Sequence, residues 1–110
     1  MDRNDAAAIL AATEQLVGEL MSRNQFEPRA IVSCIFTLTP DLDAEFPAVA
    51  ARRLGLGAVP LLCATEVDVP GAMQRVIRVL VHYYADNAHQ PTHAYLGEAQ
   101  ALRSDLESAQ

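Results

Sequence analysis

One carboxylate and one arginine in the middle of the 110-residue sequence occupy positions where packing alone would favour apolar side chains. Glu66 follows the apolar run 60–64, and Arg78 lies between Ile77 and Val79. A fixed guanidinium beside a developing anion can stabilise a transition state without any covalent intermediate. Because no evident nucleophile accompanies this pair, it suits electrostatic catalysis on an anionic substrate better than nucleophilic catalysis.

Each candidate also has a purely structural interpretation. Glu66 alone is more often a solvated carboxylate in a turn, and Arg78 can be a surface arginine whose stem covers apolar neighbours. Arg52, at the end of a predicted helix, complements the helix dipole. Cys63 in an apolar run is most often an inert buried thiol, and Tyr95 can be a core residue of a strand. The sequence contains no Ser/His/Asp order, Gly-rich phosphate loop or ligand-like His spacing.

The composition indicates one globular domain over residues 1–110 and disfavours a nucleic-acid partner. The sequence is 51% hydrophobic and 20% charged, with a net charge of −6 and no basic run. Its cations are all arginines, whose planar fork matches a carboxylate through two hydrogen bonds. They are Arg3, Arg23, Arg29, Arg52, Arg53, Arg75, Arg78 and Arg103.

The cysteines favour a cytoplasmic protein. Cys34 and Cys63 are isolated from each other, lie in apolar runs and have no Cys-x-x-Cys or Cys/His spacing for a metal. The first residues contain no signal-peptide core, and no run reaches membrane-spanning length, so we expect no membrane partner.

Hydrophobic periodicity predicts alternating helices and strands that position these residues. The predicted helices are 5–24, 46–54 and 72–84, and the predicted strands are 30–37, 60–64 and 93–102. Alternation of this kind indicates an α/β or α+β layer with helices packed on one sheet. Three strands leave exposed edges, so the chain is expected to add another strand or to complete its sheet by oligomerising.

Four motifs, in a consistent order and separation, resemble the bacterial AroH-type chorismate mutase family. They are residues 37–48 (TLTPDLDAEFPA), 59–68 (VPLLCATEVD), 75–79 (RVIRV) and 93–96 (HAYL). The resemblance implies an α+β fold with a mixed sheet packed against helices, ferredoxin-like in character. It also implies a homotrimer with a pseudo-barrel core and with active sites between subunits.

The resemblance further implies conversion of chorismate to prephenate, in aromatic amino acid biosynthesis, by a one-step pericyclic rearrangement without a cofactor or metal. Arg78 matches the family arginine beside the breaking ether bond, and Glu66 matches the carboxylate that holds the substrate hydroxyl. The other family substrate contacts match Cys63, Tyr95, Phe46, Ala48, Arg52, Leu102 and Arg103, of which Phe46, Ala48 and Arg52 match the wall contributed by a neighbouring subunit.

The sequence departs from the family pattern at two places. Family members begin with a strand of the type Arg-Gly-Ala-Thr-Thr-Val, whereas Met1 here occupies the valine position, so that strand and its arginine are missing from the sequence. Val49 replaces a family lysine. Either an upstream start codon supplies the strand, or the short form is a weak, altered or inactive mutase.

Two alternatives to a chorismate mutase follow. One is a catalytically weak or inactive trimeric binding or scaffold protein that keeps the chorismate pocket. The other is an enzyme acting on a related dicarboxylate such as isochorismate, which product analysis would distinguish.

Overall fold

A long first helix opens the protein, whose computed structural model describes residues 1–100. Helix α1 spans Ala6–Asn24, and the Asp5 carboxylate caps it by accepting a hydrogen bond from the Ala8 backbone N–H at 2.7 Å. Ile9, Thr13 and Val17 are buried at intervals of four residues, which gives one packed side. The helix was predicted at residues 5–24, and this prediction is confirmed.

Three strands form one mixed sheet in the order β2–β1–β3. They are β1 (Ile31–Leu38), β2 (Leu61–Thr65) and β3 (Ile77–Tyr83). The central strand β1 is parallel to β2 and antiparallel to β3. The predictions of strands at 30–37 and 60–64, and of an α+β fold with a mixed sheet, are therefore confirmed.

A crossover connects the parallel strands β1 and β2, as parallel pairing requires. It contains helix α2 (Pro47–Ala51), with proline in its first turn, and a wider helical turn over Arg52–Leu56. Within this turn Gly55 takes φ of 95°, a conformation that favours glycine. The helix predicted at 46–54 is thus present, in two parts.

One side of the sheet, here called the helix face, packs on the helices. Val17 of α1, Phe36 of β1 and Ala48 and Ala51 of α2 share one buried cluster. The register places cross-strand rows on this face: Leu61–Cys34–Val81, Cys63–Phe36–Val79 and Thr65–Leu38–Ile77. The core therefore lies between this face and helices α1 and α2.

The other side, here called the open face, has no covering element in the described part of the chain. Its rows alternate with those of the helix face and consist of Leu62–Ile35–Leu80, then Ala64–Thr37–Arg78, with Glu66 next along β2. Leu62 is 59% exposed and Leu80 55% exposed. Large apolar side chains thus face outward from two of the three strands.

The helix predicted over residues 72–84 is wrong, because residues 77–83 of this segment form β3. Ile77, Val79 and Val81 alternate in burial with Arg78 and Leu80, which is the two-residue period of a strand. The apolar residues of β3 fall on both faces of the sheet. Arg78 consequently extends from an edge strand rather than from a helix.

The strand predicted over residues 93–102 is also wrong for the residues that the structure describes. Residues 84–96 have no regular secondary structure, and Gly97–Ala99 forms a single 3₁₀ turn with Gly97 at φ of 58°. The observed order is αβαββ rather than a threefold αβ alternation. Within residues 1–100, no helix combines the length and the apolar character needed to cross a membrane.

Candidate active site

Arg78 and Glu66 meet on the open face. The Arg78 Nε lies 3.1 Å from the Glu66 Oε1, so the two form an ion pair across the sheet. The Glu66 side chain is 19% exposed, whereas the Arg78 side chain is 62% exposed. The carboxylate is therefore held in place, while the guanidinium can turn toward an incoming anion.

Strand register explains why these two residues meet although twelve residues separate them. Arg78 pairs directly with Thr37 of the central strand. The Glu66 backbone N–H donates to the Leu38 carbonyl at 2.8 Å, which extends the β1–β2 ladder one residue beyond β2. Glu66 and Arg78 thus approach Thr37 from opposite sides of β1.

Sequence reasoning missed Thr37 as a site residue. Its Oγ1 donates a hydrogen bond to Glu66 Oε1 at 2.5 Å, the same oxygen that forms the ion pair with Arg78. The signal available in the sequence was one of two hydroxyl residues, with Ser33 the other, in an otherwise apolar strand. That signal was too weak to interpret without knowing which strand lies beside β1.

The loop after β1 fixes the start of β3, which carries Arg78. The Asp41 carboxylate accepts from the Arg75 backbone N–H at 3.0 and 3.3 Å, and the Thr39 Oγ1 accepts from the Val76 N–H at 3.0 Å. Arg75 takes φ of 55°, which costs a residue with a side chain some strain. The Thr39 hydroxyl, with the Arg75 N–H, lowers the pKa of Asp41 below its usual value, so the charged form is favoured.

Tyr95 lies with Arg78 on a different feature, a cavity of about 640 Å³ between α1, β3 and residues 93–99. Both residues contribute to its lining, together with Leu16 and Leu20 of α1, but Glu66 and Cys63 do not. The cavity lies between the first residues of β3 and one side of α1. The ion pair on the open face and this cavity therefore share Arg78 alone.

The remaining predicted site residues lie apart from the ion pair. Cys63 packs against the core cluster on the helix face, and Ala48 is 4% exposed within that cluster. Phe46, at 66% exposure, and Arg52 are on the surface around α2, and no described hydrogen bond or ion pair joins either to Arg78 or Glu66. Leu102 and Arg103 lie outside the described residues.

The chemistry available at the open face is electrostatic. A cation and an oriented carboxylate can bind an anionic substrate that also carries a hydroxyl group.

Burial raises the pKa of the Cys34 thiol to about 11, which leaves it protonated and unreactive near neutral pH. Among residues 1–100, no group of three His, Cys, Asp or Glu side chains is arranged to hold a metal ion.

Comparison with known proteins identifies relatives over the full described fold. The family model for chorismate mutase type I matches residues 1–106. The chain is 44% identical over 112 residues to the chorismate mutase AroH of Thermus thermophilus, covering 100% of this chain and 92% of that one. It is 37% identical over 108 residues to the chorismate mutase AroH of Bacillus subtilis, covering 96% of this chain and 85% of that one.

A solved structure agrees with these relatives. The chorismate mutase from Clostridium thermocellum superposes with a TM-score of 0.88 at 42% sequence identity, covering 91% of this chain and 90% of that chain. The family predicted from the four sequence motifs is therefore confirmed. On the combined evidence of sequence, fold and family model, the chain belongs to the chorismate mutase type I family.

Proposed function

We propose that Arg78 and Glu66 on the open face are the catalytic residues with which this enzyme converts chorismate to prephenate. The observation that carries the proposal is their 3.1 Å ion pair, which brings together the two residues that match the family arginine and carboxylate. The rearrangement is pericyclic and needs no nucleophile. The proposed reaction uses no cofactor.

Arg78 is proposed to stabilise the transition state. As the ether bond breaks, negative charge gathers on the ether oxygen, and a guanidinium at that point stabilises the transition state more than the ground state. The exposed Arg78 side chain is able to leave the Glu66 carboxylate and contact that oxygen. A preorganised donor of this kind contributes about 10²- to 10³-fold to a rate.

Glu66 is proposed to hold the ring by accepting a hydrogen bond from the substrate hydroxyl. The Glu66 carboxylate is largely enclosed, and the Thr37 hydroxyl holds it through a hydrogen bond. Its position is therefore defined before the substrate arrives. Holding the substrate in its compact reactive conformer lowers the entropic part of the barrier. Arg78 and Glu66 would thus act at the two ends of the reacting framework.

The other substrate contacts are proposed from the family pattern and extend beyond one subunit. Tyr95 is proposed to hydrogen-bond to a substrate carboxylate, and Leu102 and Arg103 to contact the substrate near the mouth of the cleft. Cys63 matches the family thiol that lines the pocket, but its place on the helix face, opposite the ion pair, gives that role no support within one subunit. Phe46, Ala48 and Arg52 are proposed to form the wall supplied by a neighbouring subunit, and the surface position of Phe46 and Arg52 supports this role for two of them.

We infer that the assembly is a homotrimer with its active sites between subunits. The open face supports association, because Leu62 and Leu80 are more than half exposed there beside the partly buried Ile35. The outer edges of β2 and β3 also lack a neighbouring strand within residues 1–100. The cytoplasm is the proposed location, since two free thiols are typical of a reducing compartment.

The test is a direct assay of prephenate formation by the purified protein. We expect Arg78→Ala to lower kcat by about 10²- to 10³-fold, while Arg29→Ala, which removes an arginine that is 88% exposed at the start of β1, leaves it unchanged. Mass spectrometry of the product distinguishes prephenate from the products of an isochorismate-converting enzyme. If the wild-type rate equals the uncatalysed rate while calorimetry still shows chorismate binding, the proposal is wrong and the protein is a chorismate-binding protein without mutase activity.

A further inference from the structure

Thr37 occupies the point at which the two proposed catalytic residues meet. It lies on the central strand, opposite Arg78 in the antiparallel register, and its hydroxyl donates to Glu66. Its backbone is held on both sides, by β2 and by β3. A β-branched side chain on such a strand has little rotational freedom, so the hydroxyl has a fixed direction.

The hydrogen bonds divide the Glu66 carboxylate into two unlike oxygens. Oε1 accepts a hydrogen bond from the Thr37 hydroxyl and lies 3.1 Å from the Arg78 Nε in the ion pair, whereas Oε2 makes no hydrogen bond with the described residues. Thr37 and Arg78 thus both engage Oε1, whereas Oε2 retains its full capacity to accept a hydrogen bond. The arrangement therefore leaves Oε2 of Glu66 as the oxygen that can accept a hydrogen bond from a ligand.

The two partners of Oε1 differ in what substrate binding demands of them. Arg78 has to turn toward the ether oxygen in order to act on it, and its ion pair with Glu66 then weakens. Thr37 carries no charge, does not compete for the anionic substrate and stays on its strand. It is thus the one described side-chain donor that can hold Glu66 throughout the reaction.

We propose that Thr37 is a positioning residue that holds Oε1 of Glu66, so that Oε2 is directed at the substrate hydroxyl. The inference rests on the proposed function, because it assumes that Glu66 binds that hydroxyl. It adds a residue on the central strand to the machinery and assigns different tasks to the two carboxylate oxygens.

Two variants at this position separate the hydroxyl from the shape of the side chain. Thr37→Val keeps the branched shape and removes the donor, and we expect kcat/KM to fall about 10- to 100-fold, because a hydrogen bond to a charged group is lost. Thr37→Ser keeps the donor, and we expect it to stay within about threefold of wild type. Thr37→Ala serves as a second donor-free variant if the valine variant does not fold.

A double-mutant cycle with Glu66 provides a readout that a structural role would not change. If Thr37 acts through the carboxylate, Thr37→Val has no further effect on kcat/KM in a Glu66→Ala background. An equal loss in both backgrounds, or a serine variant as slow as the valine variant, would overturn the inference.

The same assays distinguish this inference from the proposed function. If Arg78→Ala is slow while Thr37→Val matches wild type, the positioning role is wrong and the active-site assignment stands. If Arg78→Ala and Glu66→Ala both match wild type, the assignment itself is wrong, whatever the result at Thr37.

Discussion

The two faces of the sheet are built from the same three strands but differ in almost every physical property. On the helix face, Phe36 is 0% exposed and Cys34 1% exposed. On the open face, Leu62 and Leu80 are more than half exposed, and Thr37, Glu66 and Arg78 form the polar cluster. Successive residues of one strand therefore alternate between a packed interior and an accessible surface.

This difference separates stability from chemistry. A guanidinium placed among the side chains under α1 and α2 would lose its hydration, and its pairing with one carboxylate would not restore it. On the open face the same group keeps its charge and its mobility. Because side chains alternate with a period of two along a strand, one short strand can pack the core on one face and carry site residues on the other.

The largest expected effect comes from emptying the helix face. Phe36→Ala removes the largest fully buried side chain, and we expect the free energy of unfolding to fall by about 3–5 kcal/mol. Urea denaturation measures the change, and Phe36→Leu, which keeps most of the volume, should cost less. A midpoint for Phe36→Ala equal to that of wild type would show that the two faces do not differ in this way.

The next effect concerns assembly through the open face. Leu80→Asp puts a charge among the exposed leucines, and we expect the dissociation constant of the oligomer to rise at least tenfold, or about 1.4 kcal/mol, because the carboxylate resists desolvation. Analytical ultracentrifugation measures it. Ala11→Asp, on an exposed position of α1, adds the same charge elsewhere and should leave the sedimentation coefficient unchanged.

A smaller effect appears at alkaline pH on the helix face. The pKa of Cys34 is raised from 9.0 to about 11, so the folded state retains a proton that the unfolded state releases. Its contribution to stability is present below pH 9 and is lost as the pH rises toward 11. We therefore expect the melting temperature of wild type to fall relative to that of Cys34→Ala as the pH rises from 9 to 11. Cys63→Ala serves as the control.

The smallest effect concerns the loop that holds the start of β3. Because the pKa of Asp41 is lowered in the folded state, its charge stabilises the fold above its usual pKa, and this contribution is lost as the pH falls through the lowered value. We expect Asp41→Asn to melt below wild type at pH 6 and to approach it at pH 3. Asp68→Asn, at an exposed position, should show no such convergence.

The sequence predicted the parts of the fold in which one period dominates. Residues 6–24 repeat apolar side chains every three to four positions, and residues 31–38 form a continuous β-branched and aromatic run, so both elements were identified correctly. Residues 72–84 fit both the helical period of 3.6 residues and the strand period of two. Apolar side chains on both faces of a strand also produce the three-to-four spacing of an amphipathic helix. The alternation of Ile77, Arg78 and Val79 was the signal for a strand.

The site was predictable only where the family pattern contained it. Glu66 and Arg78 were identified from the sequence, and the structure brings them together. Thr37 was not, since its importance depends on β1 lying between β2 and β3, an order that local sequence does not determine. Over residues 93–100 the predicted strand is absent for a similar reason, because pairing with a neighbouring strand decides whether a segment becomes a strand.

The central place of β1 has a consequence for how the proposed active site forms during folding. Glu66 arrives through the parallel crossover and Arg78 through the antiparallel return, so neither half of the chain alone can create the ion pair. A partly folded molecule with only β1 and β2 joined would have a carboxylate and no cation. If the proposed catalytic pair is right, regain of turnover during refolding should accordingly report the docking of β3, and it should lag behind the formation of α1.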